Sequence, residues 1–174
     1  MKLSKRDLTI KYTVYGLLIA AAALLQNVSG LWFEIGGARC FFIVPVVVLL
    51  SLGEDERNAA LLGLFGGLLW DAVSAAHMGF NCIVLMFLCY FAAAFVNFVF
   101  RNIFSVAVVS ATVGAFLYCV SYWLVIVLPH GGDGAVMSLL WFYLPSFAYT
   151  AVIGAVLATA LSPLKAKLNK GVTE

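Results

Sequence analysis

Runs of about 20 mostly apolar residues, separated by charge and by glycine or proline, fill roughly two-thirds of this chain. A helix of about that length spans the hydrocarbon of a bilayer, where the backbone must satisfy its own hydrogen bonds. The pattern predicts an all-α integral membrane protein. Composition agrees: of 174 residues, 64% are apolar and only 10% are charged. Soluble domains carry about 25% charged residues, and a fold this small leaves much of its surface in water. So few charges cannot coat it. A soluble cytosolic enzyme is excluded, and a net charge of +2 leaves no basic face for nucleic acid.

Six candidate spans follow from the punctuation. They run at about 12–29, 38–52, 58–74, 80–100, 103–128 and 135–161, with Pro45 in the second and Pro145 in the sixth. The expectation is one domain, 1–174, a compact bundle of six transmembrane helices with short cytoplasmic tails at about 1–11 and 162–174. The second span is short. It either extends backwards through Gly36 and Gly37 with Arg39 snorkelling, or forms a half-spanning segment buried in protein. The first span reads as an uncleaved helix and not as a cleavable signal.

Charge orients the bundle. With the N-terminus inside, Lys2, Lys5, Arg6, Lys11, Arg57, Arg101, Lys165, Lys167 and Lys170 are cytoplasmic, and Arg39 alone is outside. That asymmetry obeys the positive-inside rule, and a five-span topology would spoil it. Outer loops are expected at about 30–39, 75–79 and 129–134. In the inner loop Gly53-Glu-Asp-Glu-Arg57, the acidic residues read as the start of helix 3, where the helix dipole favours them. An exposed contact for a cytoplasmic partner is the alternative.

Helix 3 carries the most information. Gly63, Gly67 and Asp71 recur every four residues and share a face, with Gly66 and Ser74 beside them. Such a small-residue strip lets another helix approach closely, so Gly63, Gly66, Gly67, Asp71 and Ser74 form a candidate packing or partner face. Asp71 is the only charge well inside any span, and a carboxylate there costs about 2.5–3.5 kcal/mol on insertion scales. It must face protein or a wet cavity. Capping the turn before helix 4, through backbone amides and Asn81, is one role; partner or ligand contact and proton relay are the others.

Gln26, Asn27, Asn97 and Asn102 are expected to hydrogen-bond between helices. His77 and His130 read as solvated loop residues. Tyr118, Tyr122, Trp123, Trp141, Phe142 and Tyr143 read as an outer aromatic belt. The cysteines Cys40, Cys82, Cys89 and Cys119 all lie in apolar runs and read as small buried side chains. No cofactor or metal is expected, because no Cys/His cluster has ligand spacing. No triad, carboxylate pair or phosphate loop is present, which argues against an enzyme.

The stretch Gly63-x-x-Gly66-Gly67-x-x-x-Asp71-x-x-Ser74-x-x-x-x-Gly79-Phe80-Asn81 resembles the turn between the third and fourth helices of the rod shape-determining MreD family. Length, span count, Pro45 and Gln26 are similar too, whereas the acidic loop Glu54-Asp-Glu56 departs from the more basic turn expected there. The resemblance implies a non-catalytic membrane subunit of the machinery that builds the lateral wall of rod-shaped bacteria. Its implied partners are MreC, MreB and RodA with its class B penicillin-binding transpeptidase, in the cytoplasmic membrane. The fold of that family is similar to the S components of energy-coupling-factor vitamin transporters. That makes a substrate-binding subunit the alternative, with Gln26, Asn27, Asp71 and Asn81 as a small outer polar cluster.

Overall fold

The computed structural model describes residues 5–28, 37–74, 79–99, 104–130 and 134–170. Among these there is no strand, and six helices follow one another. They are α1 (Lys5–Asn27), α2 (Ile43–Ser51), α3 (Glu56–Asp71) and α4 (Phe80–Val99), then two interrupted helices. Helix α5 runs over Phe104–Tyr122, a π-helical turn at Trp123–Val127, and Leu128–His130. Helix α6 runs over Ala135–Ser138, a π-helical turn at Leu139–Tyr143, and Leu144–Lys170. Four of them, α1, α4, α5 and α6, are long and apolar enough to cross a membrane.

Successive helices alternate in direction. Residues 11, 54, 97 and 165 therefore gather at one end, the basal end, and residues 26, 43, 71, 81 and 146 at the other, the apical end.

The second predicted span is not a full helix. Only nine residues are helical, about 14 Å of rise, and all nine are buried. Helix α2 is apolar all round, as a helix enclosed on every side must be. Val44, Val47, Val48 and Leu50 form the centre of the core with Tyr15, Ile19 and Leu85. Pro45 sits in its first turn, where the missing N–H removes no intrahelical bond. Residues 38–42 enter α2 as non-helical chain. Helix α3, at 16 residues, is also shorter than an ordinary crossing.

Proline explains both π turns. A proline cannot donate to the carbonyl four residues back, and its ring crowds that carbonyl. For Pro129 and Pro145 the crowded positions are Val125 and Trp141, and each lies inside a π turn. Widening the helix there relieves the clash while the chain stays helical.

Helix ends differ from the expected spans. Helix α5 reaches His130, so Pro129 and His130 are not loop, and α6 continues to Lys170 instead of ending near 161. The basal tails are thus helical from Lys5 and as far as Lys170. Asn102, His77, most of the 30–39 and 75–79 loops and residues 131–133 lie outside the described residues. All four cysteines are buried and unpaired.

Candidate functional site

The apical site starts from Asp71, the last residue of α3. It is 5% exposed, and both its oxygens are held. The Gly79 and Cys82 backbone N–H groups donate to Oδ2 at 3.0 and 3.1 Å, and the Asn81 amide donates to Oδ1 at 2.8 Å. The two backbone donors are orphan amides at the start of α4, where the helix dipole also favours an anion. Gly79 has φ +93°, a left-handed backbone that suits glycine, and this aims its N–H at the carboxylate. Asn81 then accepts from the Tyr118 hydroxyl at 2.6 Å, which ties α5 to the same turn.

The glycine strip brings α3 and α4 together. A Cβ on Gly67 would stand 2.6 Å from the Asn81 carbonyl oxygen, and one on Gly63 would press on the Leu85 carbonyl. Gly66 faces the other way, where a Cβ would meet Val47 of α2 at 2.6 Å. The strip is therefore filled by this chain's own helices. Its reading as a face offered to a partner is corrected: Gly63, Gly66 and Gly67 give close packing within the bundle. Ser74 lies just beyond α3, its N–H bonded to the Trp70 carbonyl, and it borders a cavity.

That cavity, about 370 Å³, opens between the apical ends of the helices. Gln26, Asn27, Arg39, Ser74 and Asn81 contribute polar groups to its wall, and Phe41, Trp70, Tyr118, Tyr122 and Tyr143 contribute rings. Of the expected outer polar cluster, Gln26, Asn27 and Asn81 meet here. Asp71 does not line it, because it lies behind Asn81. Trp70 and Tyr118 stack at 4.8 Å between centroids. Tyr118 is 2% exposed and Tyr143 is buried as well, so these two do not belong to a lipid-facing belt; Trp141 is exposed.

One polar device was absent from the expectations. The non-helical chain entering α2 would leave backbone donors unsatisfied in an apolar medium. Side chains of the flanking helices take them. The N–H groups of Arg39, Phe41 and Ile43 donate at 3.0 Å each to Ser146 Oγ, Thr150 Oγ1 and Gln26 Oε1. The alternation 39, 41 is that of extended chain, Ile43 opens α2, and Ser146 and Thr150, four apart on α6, share one helix face. Both are fully buried. No local sequence signal marks the pairing, because Ser146 and Thr150 lie more than 100 residues from residues 39 and 41.

The basal end holds a second carboxylate. Glu54, expected at a helix start or on an exposed loop, is 5% exposed and forms an ion pair with Lys11 at 2.6 Å. The Tyr12 and Tyr15 hydroxyls donate to it at 3.3 and 3.4 Å, and the Lys11 ammonium lies over both rings. Asn97 of α4 donates to the Glu54 carbonyl and to the Glu56 carboxylate, which holds the Glu56 carboxyl below its ordinary range. Lys165 of α6 caps α2, donating to the carbonyls of Leu49 (2.9 Å) and Leu52. A cation at a helix C-terminus is the favourable sign. A partner contact through Glu54 is not available, since Lys11 covers it.

Among the described residues, no three His, Cys, Asp or Glu side chains converge as a metal-binding group. Comparison with protein-family models, with curated proteins and with solved structures finds no match to this chain.

Proposed function

We propose that this chain is a non-catalytic membrane subunit of the bacterial cell-elongation machinery, of the kind the MreD resemblance implies. It would sit in the cytoplasmic membrane with both termini inside, and associate with an MreC-like protein, MreB, and RodA with its transpeptidase. The observation that carries this reading is the turn from Gly63 to Asn81. Five of the residues that carry the resemblance have a fold role there: Gly63 and Gly67 seat α4, Asp71 caps it, Gly79 aims an amide, and Asn81 bridges to α5. Three donors hold the two Asp71 oxygens, which supports a fold role for this carboxylate.

The six crossings would then be four long helices, the short α3, and a broken crossing made of residues 38–42 and α2. Broken helices persist at membrane depth when protein groups satisfy the freed backbone, as Gln26, Ser146 and Thr150 do here. Partner contact falls to exposed apolar faces such as the α4 row Phe87, Phe91, Phe95 and Phe98. The test is depletion of the chain in its host, followed by microscopy and by co-purification of the MreC-like protein. Rounded or widened cells and a recovered complex support the reading; normal rods contradict it.

A second reading, a substrate-binding subunit of an energy-coupling-factor transporter, is favoured by one observation, the apical cavity. Vitamin auxotrophy on depletion, with normal rods, would select it.

A further inference from the structure

We infer that the cleft between α4 and α5 is filled by the phenylalanine ridge of a second copy of this chain, so that two bundles form a two-fold dimer. Helices α4 and α5 follow one another in the chain but pack far less closely than α3 and α4 do. Between them lies an outward-facing cleft of about 780 Å³. One wall is a ridge on α4. Phe87 and Phe91 stack there at 6.3 Å between centroids, and they and Phe98 are each more than half exposed. The other wall is the α5 row Val109, Val113 and Leu117, each roughly half exposed. Ser110 and Gly114, small residues of α5, keep the cleft open between the walls.

A ridge beside a cleft is what an isologous contact needs. A two-fold axis along the bundle, placed between them, carries the ridge of each copy into the cleft of the other. That rotation preserves depth, so ridge and cleft must match at one level. They do. Counted at 1.5 Å per residue from Val99 and Phe104, the basal ends of the two helices, Phe91 lies about 12 Å up α4, and Ser110 and Gly114 about 9 and 15 Å up α5. The Phe91 ring thus meets the gap between Ser110 and Gly114 of the second copy.

The face is large enough. At about 200 Å² for a bare phenylalanine, the three rings expose about 400 Å². Ile83 and the α5 row, at about 100 Å² for a bare aliphatic side chain, expose about 200 Å² more. Over two copies the face reaches about 1,200 Å², where stable interfaces begin. In lipid such contact acts through packing and not through a hydrophobic gain. A stiff row of rings fills the cleft at interior density, whereas a flexible acyl chain must be ordered to do so.

Such a dimer suits an elongation subunit and a transporter subunit alike, and goes beyond either role. It gives the α4 row to a second copy and leaves exposed faces such as Leu17 and Leu24 of α1 to other partners. Dimerisation is read in vesicles and the proposed role in cells, so the two fail separately.

The test reconstitutes the purified full chain, with donor or acceptor dyes on an exposed Lys167→Cys, into phosphatidylcholine vesicles and measures energy transfer as lipid is added. The expected result is transfer that falls along a monomer–dimer curve. Ser110→Phe puts a ring into the cleft and is expected to raise the protein-to-lipid ratio at the midpoint about tenfold or more. Phe91→Ala removes the centre of the ridge at an exposed position, acts in the same direction, and serves alone if Ser110→Phe does not fold. Val152→Phe, at an exposed position of α6, is expected to leave the curve unchanged. Transfer no higher than random collision, the result if lipid chains keep the cleft, overturns the proposal. So does a curve that neither cleft substitution moves.

Discussion

The two ends of the bundle each bury one carboxylate to the same degree, and they hold it by different physics. At the apical end, no cation among the described residues lies within the bonding shell of Asp71. Two backbone amides and a carboxamide satisfy it, all from residues 8–11 positions ahead in the chain. At the basal end, Glu54 is matched by the charge of Lys11 and by two tyrosine hydroxyls, from residues 39–43 positions away. The apical carboxylate is a cap that happens to be charged. The basal one is half of an ion pair. Losing charge is therefore mild at the apical end, and losing one partner is severe at the basal end.

The sharpest way to break this contrast is Lys11→Met. It strands Glu54 in a buried site, and removal of one member of a buried pair costs about 3–5 kcal/mol. Reversible unfolding of purified protein is expected to show that loss, and Lys11→Met combined with Glu54→Gln is expected to recover most of it. A single variant as stable as the parent would mean that water already screens the pair.

Gly67→Ala comes next. Its methyl meets the α4 backbone at Asn81, which cannot swing aside like a side chain. Overpacking of this kind costs about 1–3 kcal/mol. Lower abundance in membranes is expected, with co-purification of partners falling only in proportion. Normal abundance with lost association would return the strip to a partner face.

Thr150→Val tests the broken crossing. It leaves the Phe41 N–H without its acceptor, a loss of about 1–3 kcal/mol for a buried donor. It is expected to speed hydrogen exchange at residues 39–43 without affecting the basal end. Uniform exchange changes would contradict a local role.

Legibility in the sequence follows the same division. The apical turn could be read because its parts lie within one short segment: a small-residue face, a lone acid, a glycine and an asparagine before an apolar run. The basal pair could not. Lys11 and Glu54 lie 43 residues apart in segments that resemble solvated tails and loops, and Lys165 is more than 110 residues from the carbonyls it caps. The short second run was legible as a problem, but its solution was not. Ser146 and Thr150 are ordinary residues for a membrane helix, and only the fold brings them beside residues 39–41. Tyr118 reads as a belt residue because aromatic residues near span ends usually are, and its burial depends on Asn81 standing opposite.

The most direct test of the central claim, that the acid of the apical turn builds the fold and performs no chemistry, compares Asp71→Asn with Asp71→Leu in the native host. Asparagine keeps an acceptor, and with Asn81 turned over it can still bond the α4 amides. Leucine leaves three donors open. Membrane abundance and cell shape are measured together. The account expects Asp71→Asn to accumulate near the parent level with normal rods, and Asp71→Leu to be depleted with a matching shape defect. Normal accumulation of Asp71→Asn in misshapen cells would contradict it, because the charge itself would then carry the function.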